Sequence, residues 1–166
     1  PPWYFGRPGF PASAGPSQNL ALGYLAAILR ADKHRVSVID TLVEGAQEVR
    51  PEATLHQKVY RIGLDYEAIA KRIAPDTDFL GLTIPMSNHR RIGAALVAVL
   101  KERFPKIPLV VGGIHPSTFP DEPLAWGADY VVRGEGEEPL RRLCRGEAPA
   151  GIPGLVTASG IANPPC

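Results

Sequence analysis

The sequence predicts an α/β fold, a parallel sheet doubly wound by helices on both faces, over residues 1–160. Three observations predict it. Short continuous apolar runs at residues 79–84 (FLGLTI), 109–112 (LVVG) and 130–132 (YVV) read as strands buried on both faces. Stretches with apolar residues at helical spacing alternate with those runs, the order of a wound parallel sheet. The 166 residues are the size of one domain and contain no internal repeat.

Each element follows in order. Five of the 18 prolines fall within the first 16 residues, and a ring that fixes φ and removes a donor keeps regular structure away from that stretch. Ser17 is the candidate cap of a first helix, in which Leu22, Leu25, Ile28 and Leu29 recur at helical spacing up to Ala31. Residues 36–40 (VSVID) read as a short β-branched strand, and residues 42–63 as a long connection with one helical piece. Asp65 caps the next helix, where Tyr66, Ile69, Ala70 and Ile73 share a face, and Pro75 stops it. Strand 79–84 passes through Ser87 or Asn88 into a third helix carrying Ile92, Leu96, Val99, Leu100 and Phe104. Pro105 and Pro108 bracket its exit toward strand 109–112. A short helix over 121–126, strand 130–132, a helix over 138–144 and a weaker strand at 155–158 complete the chain. One helix precedes any visible strand, although a βα unit begins with a strand. Pro1 and Pro2 suit a turn just past a strand end, and the chain opens without methionine, so a fragment whose first strand lies upstream is expected.

Composition excludes several classes. A hydrophobic share of 45% with 21% charged residues rules out disorder, collagen and coiled coil. With 18 basic and 17 acidic side chains the net charge is +1, which provides no field for nucleic acid or an anionic membrane. No apolar stretch nears the roughly 18 residues of a membrane span, and the start has no charged-then-apolar leader. Cys144 and Cys166 are too few and too far apart for a disulfide framework or a four-cysteine metal site, so a cytoplasmic protein is expected.

Ligands of an open parallel sheet bind at the carboxyl ends of its strands. The segments expected at that edge are residues 1–16, 40–44, 85–89, 113–120 and 133–137. Gly112 and Gly113, leading into Ile114 and His115, fit either a close backbone approach to a flat ligand or a tight turn that needs positive φ. Arg133, Gly134, Glu135, Gly136 and Glu137 fit either a second such approach, with carboxylates accepting hydrogen bonds, or a solvated turn capping the next helix. Residues 83–89 end the central strand with the neutral hydrogen-bonding groups of Thr83, Ser87, Asn88 and His89, which suit an amide-rich ligand better than a phosphate, although Ser87 fits ordinary helix capping better. His34 and His56 fall in loops. His89 and His115 fall at the ligand edge, but no second histidine or cysteine stands at metal-site spacing, so no metal site built by this chain alone is expected. The sequence holds no G-x-G-x-x-G after a strand, no phosphate-cradling G-x-x-x-x-G-K-[ST] and no nucleophile elbow.

Taken in order, the segments LALGYLAAILRADKHRVSVID, YRIGLDYEAIAKRIAPDTDFLGLT, LVVGGIHPSTFPDEPL and ADYVVRGEGEEPLRRL resemble the N-terminal cobalamin-binding domain of cobalamin-dependent radical SAM enzymes. That family includes anaerobic magnesium-protoporphyrin IX monomethyl ester cyclases and radical SAM methyltransferases. The resemblance covers nearly the whole chain, and VVGGIHPS followed about twenty residues later by YVVRGEGE is its most specific part. It implies a flavodoxin-like, Rossmann-like sheet whose carboxyl edge holds the corrin. It also implies a partner barrel carrying a 4Fe–4S cluster on C-x-x-x-C-x-x-C and binding S-adenosylmethionine; that motif is absent here, so residues 161–166 are expected to begin the linker toward it. By the family's pattern the corrin edge is met by Thr83 and Ser87, by Gly112, Gly113, Ile114 and His115, and by Arg133, Gly134, Glu135, Gly136 and Glu137. Cobalamin methyltransferases with D-x-H-x-x-G place a histidine under cobalt. Residues 1–18 contain none, which implies cobalt without a protein axial histidine, with lower coordination by His115 or His89 as the lesser alternative. The resemblance implies that this domain binds cofactor, while the barrel performs methyl transfer or oxidative cyclisation. The alternatives are a flavin- or nucleotide-binding module and a structural domain of the same family that has lost its cofactor.

Overall fold

A computed structural model of the chain describes residues 4–6, 19–51, 60–160 and 162–164. Its main sheet has the order β4 (Leu80–Thr83), β5 (Leu109–Gly112), β6 (Tyr130–Val132) and β7 (Leu155–Thr157). The first three run parallel, with Leu80 opposite Leu109 and Val111 opposite Val131. Around them lie α1 (Leu20–Ala31), α2 (Thr41–Glu44), α3 (Tyr66–Lys71), α4 (Arg90–Arg103), α5 (Ile114–Thr118), α6 (Asp121–Ala125) and α7 (Glu137–Cys144). The strands β1 (Tyr4–Gly6), β2 (Val49–Pro51) and β3 (Tyr60–Ile62) form a separate antiparallel sheet in the order β1-β3-β2.

The continuous apolar runs arise because both faces of the main sheet are covered. Leu109 and Val111 enter a core with Ile84, Ile92, Leu96, Val97 and Leu100, whereas Val110, between them, enters a second core with Val132, Leu143, Ile152 and Leu155. Alternate residues of one strand thus point to opposite apolar layers. At the amino end of β5 the Asp129 carboxylate accepts from Leu109 N at 2.8 Å and from Lys101 Nζ at 2.9 Å, tying the strand to α4. Asp65 caps α3 as expected, accepting from Ala68 N. Asn19 caps α1, accepting from Ala21 N at 3.1 Å; Ser17, the expected cap, lies outside the described residues.

Several expectations are corrected. Residues 36–40 join no ladder among the described residues. Side chains satisfy the ends of that segment instead: Arg30 donates to Val36 O at 2.9 Å, and Asp40 N donates to Glu44 Oε1 while its carboxylate caps α2. A β-branched run becomes a strand only where a partner is available. The sheet is also not wholly parallel. Residues 145–154 carry the chain back to the carboxyl edge before β7 begins, so Leu155 faces Val132 and β7 runs against β6. The proline-rich start contains β1, because three residues free of proline suffice to pair with β3. The connection at 42–63 contains β2 and β3, and the expected loop at 113–120 contains α5.

α1 lies beside α7 with its amino end near the carboxyl edge: Leu25 faces Gly136 at the start of α7, and Asp32 meets Arg141 and Arg145 at its end. Arg141 Nε (2.9 Å) and Arg145 Nη2 (2.8 Å) reach the Asp32 carboxylate, and hydrogen bonding from Arg141 above all holds its pKa below the ordinary carboxylate value. A folded pKa below the unfolded one, about 3.9, makes this a contribution that is full above that pH and lost as pH falls through the folded value. The stability gap between the wild type and Asp32→Asn is therefore expected to be constant from pH 5 to 7 and to close toward pH 2. Urea unfolding across that range checks it, and a gap that stays constant into acid would count against the pairing.

Candidate functional site

The parallel strands β4, β5 and β6 end on one edge, and the turns that follow them carry the residues singled out from the sequence. Thr83 is the last residue of β4 and pairs with Gly112, the last of β5. One further ladder-like bond, Ile84 N to Gly112 O at 2.8 Å, continues the pairing beyond β4. Gly113 then turns at φ 111° and ψ −178°. A Cβ there would stand 2.6 Å from Ile84 O and 3.0 Å from Thr83 Oγ1, so its glycine is required by the turn and by the carbonyl packed against it. At Gly112 a Cβ would meet nothing nearer than Val132 at 3.9 Å.

The turn after β6 is fixed from two sides. Arg133 N donates to Gly154 O at 2.9 Å, while Gly134, at φ 80°, donates from its N–H to Ser117 Oγ at 2.9 Å. Ser117 Oγ in turn donates to Gly113 O at 2.8 Å. One hydroxyl therefore bridges the turns after β5 and β6. Arg133 is half-buried, and its Nε is enclosed without a hydrogen-bond partner among the described residues. Glu135 is exposed, and Glu137 opens the first turn of α7 half-buried. At Gly136 a Cβ would lie 3.4 Å from Leu25 Cδ2, an ordinary contact with α1.

His115 is 0% exposed. Its Nδ1 lies 3.2 Å from the hydroxyl of the exposed Ser87. Nε2 lies 3.5 Å from Glu122 Oε2, close enough for electrostatic attraction yet beyond hydrogen-bond geometry. The ring stacks on Trp126 at 5.9 Å and 12°, with Phe119 tilted at 5.5 Å. His89 is also buried, in the single 3-10 turn Ser87–His89 that opens α4. His34 is half-buried in the turn after α1, and His56 lies outside the described residues. Among the described residues, no three His, Cys, Asp or Glu side chains gather as a metal-holding group, and no helix is long and apolar enough to cross a membrane.

Among the described residues of these turns, Met86 (57% exposed), Ile114 (70%) and Phe119 (48%) stand out to solvent. Only Ile114 was singled out from the sequence. Met86 and Phe119 have no sequence signal, because an apolar residue beside a strand reads as core. Ser117 had one: a serine four residues after Gly113 in a short helix can return its hydroxyl to that carbonyl. The edge thus combines exposed apolar side chains, hydroxyl and carboxylate groups and a guanidinium on the turns after β4, β5 and β6, the last two held together by Ser117.

A family model described as B12 binding domain matches residues 12–144. Over 125 residues the chain is 30% identical to cytidylyl-2-hydroxyethylphosphonate methyltransferase of Streptomyces wedmorensis, which takes in 71% of this chain and 22% of that protein. This chain therefore spans 22% of the length of that curated relative. The N-terminal domain of a hypothetical protein of Thermotoga maritima has the same fold, with a TM-score of 0.51 and 24% identity over 80% of this chain and 89% of that one.

Proposed function

The chain belongs to the B12-binding domain family, and on that footing we propose that it seats cobalamin on the carboxyl edge of β4, β5 and β6. We propose further that it presents the cofactor to a radical SAM barrel elsewhere in a longer protein, for methyl transfer. The observation that carries the reading is the pair of turns after β5 and β6, bridged by Ser117 and opening beside Met86, Ile114 and Phe119.

The residues present fit the group. A corrin is a broad, methyl-rich ring fringed by primary amides. Apolar contact suits its periphery, while the Ser87 hydroxyl and the Glu135 and Glu137 carboxylates can accept from amide N–H groups. The half-buried Arg133 guanidinium can donate to an amide carbonyl. Gly112 leaves room for a flat ligand along the strand end. Thr83 lies deeper, half-buried against the Gly113 turn, and shapes the floor. His115 and His89 are enclosed, which supports cobalt without a histidine ligand from either.

When bound, cobalamin would supply a transferable methyl group, and a barrel with a 4Fe–4S cluster and S-adenosylmethionine would supply radical chemistry. This chain's own share is binding, orientation and exclusion of water from one face of the ring. The methyltransferase relative favours methylation over oxidative cyclisation.

Hydroxocobalamin titrated into the protein is expected to give a saturable one-to-one shift in its visible spectrum that survives desalting and is unchanged in form by His115→Ala. A parallel flavin mononucleotide titration is expected to show no quenching. Tighter binding of flavin, or no corrin shift, would overturn the cobalamin reading. The full-length protein is expected to take up an iron–sulfur cluster and S-adenosylmethionine, and failure to take up either would overturn the barrel.

A further inference from the structure

We infer that His115 is a positioning residue: it draws the Ser87 hydroxyl hydrogen inward, so that the edge meets its ligand at Ser87 with an acceptor oxygen and selects ligands that offer N–H donors there.

The buried His115 ring has two unlike neighbours. Glu122 faces Nε2 from α6 with Oε2 at 3.5 Å, and an ionised carboxylate has only acceptors to offer. Arg90 from α4 approaches the other oxygen of that carboxylate, Nη1 to Oε1 at 3.8 Å. The proton of a neutral imidazole is therefore best placed on Nε2. That leaves Nδ1 as an acceptor, and its neighbour at 3.2 Å is Ser87 Oγ. A hydroxyl has one hydrogen; given to Nδ1, it leaves only lone pairs for the solvent side of Ser87. The stack on Trp126 and the contact with Phe119 hold the ring plane, and in that plane Nδ1 faces Ser87 while Nε2 faces Glu122.

The consequence is chemical selection. A bare phosphate or carboxylate oxygen brought to Ser87 would meet lone pairs and no hydrogen. A primary amide would meet a matching acceptor. This rests on the proposal that the edge holds cobalamin, whose fringe is built of such amides, and it assigns the polarity of one contact within it.

The free protein gives a test that does not depend on cobalamin. Nitrogen-15 NMR of the imidazole is expected to show His115 protonated at Nε2 and bare at Nδ1, with Glu122→Gln shifting part of the population to the other tautomer. Hydroxocobalamin binding is expected to weaken about tenfold in Ser87→Ala and in His115→Gln, the size of one lost hydrogen bond to a well-placed group. His115→Asn, whose amide oxygen takes the place of Nδ1, is expected to retain most of the affinity. A proton on Nδ1, or wild-type affinity in Ser87→Ala, would overturn the inference even where cobalamin binds. A wild-type protein that binds no cobalamin would instead overturn the function proposed above and the ligand named here, while the tautomer would still decide the polarity of Ser87. If the His115 variants fail to fold, the tautomer and Ser87→Ala carry the decision.

Discussion

Gly113→Ala is expected to cost the fold about 3 kcal/mol or more and to lower Tm by about 10 °C, while Gly112→Ala stays within about 1 kcal/mol of the wild type. The two glycines are adjacent and look alike in sequence. Their surroundings differ. Gly113 has φ 111° and ψ −178°, a region that only glycine occupies without strain, and its added Cβ would meet Ile84 O at 2.6 Å and Ile84 C at 2.9 Å. Those are backbone atoms held by two bonds: Ile84 N donates to Gly112 O, and His115 N donates to Ile84 O. They cannot retreat without opening the end of the β4–β5 ladder. At Gly112 the nearest atom to an added Cβ is 3.9 Å away, ordinary contact. Thermal and urea unfolding of the two variants side by side check the difference, and equal losses would refute it. Gly112→Ala, being folded, then addresses the ligand: it is expected to weaken hydroxocobalamin binding, because its methyl fills the space along which a flat ring would approach.

The strands with two buried faces were the most legible part of the sequence, since residues such as Leu109, Val110 and Val111 have no polar alternation to misread. Caps were legible where the capping side chain acts within its own turn, as Asp65 does. What failed was pairing. The run at 36–40 has strand composition, yet a ladder depends on a neighbour that no local pattern specifies. The direction of β7 is set by where residues 145–154 return the chain, which is a matter of tertiary packing. The strands of the small sheet are three residues long, too short for a period to emerge. At the edge, residue types pointed to the turns after β5 and β6, because glycines after buried strands are few. Their separate tasks were not legible. Gly113 answers to a carbonyl and Gly134 to a hydroxyl 17 residues earlier, and each partner lies on another element.

That hydroxyl belongs to Ser117, and Ser117→Ala is expected to separate the stability of the fold from the order of the edge. Its oxygen donates to Gly113 O and accepts from Gly134 N, so one atom holds two turns that no strand pairing joins. Both partners lie near solvent, and water can replace the lost bonds; the expected cost to unfolding is about 1 kcal/mol. Hydroxocobalamin affinity is expected to fall further, about tenfold, because the turn after β6 would have to be ordered upon binding, and fixing one residue's backbone costs about 1–2 kcal/mol. Ser117→Thr, which keeps the hydroxyl, is expected to remain close to the wild type in both respects. Melting curves and hydroxocobalamin titrations on the three proteins measure the two effects independently. Wild-type affinity in Ser117→Ala would mean that Arg133 N bonded to Gly154 O and the conformation of Gly134 suffice to hold the second turn. A loss of affinity without a matching loss of stability would place Ser117 in the binding edge, in a position where it touches no ligand and governs how far apart the groups that do can move.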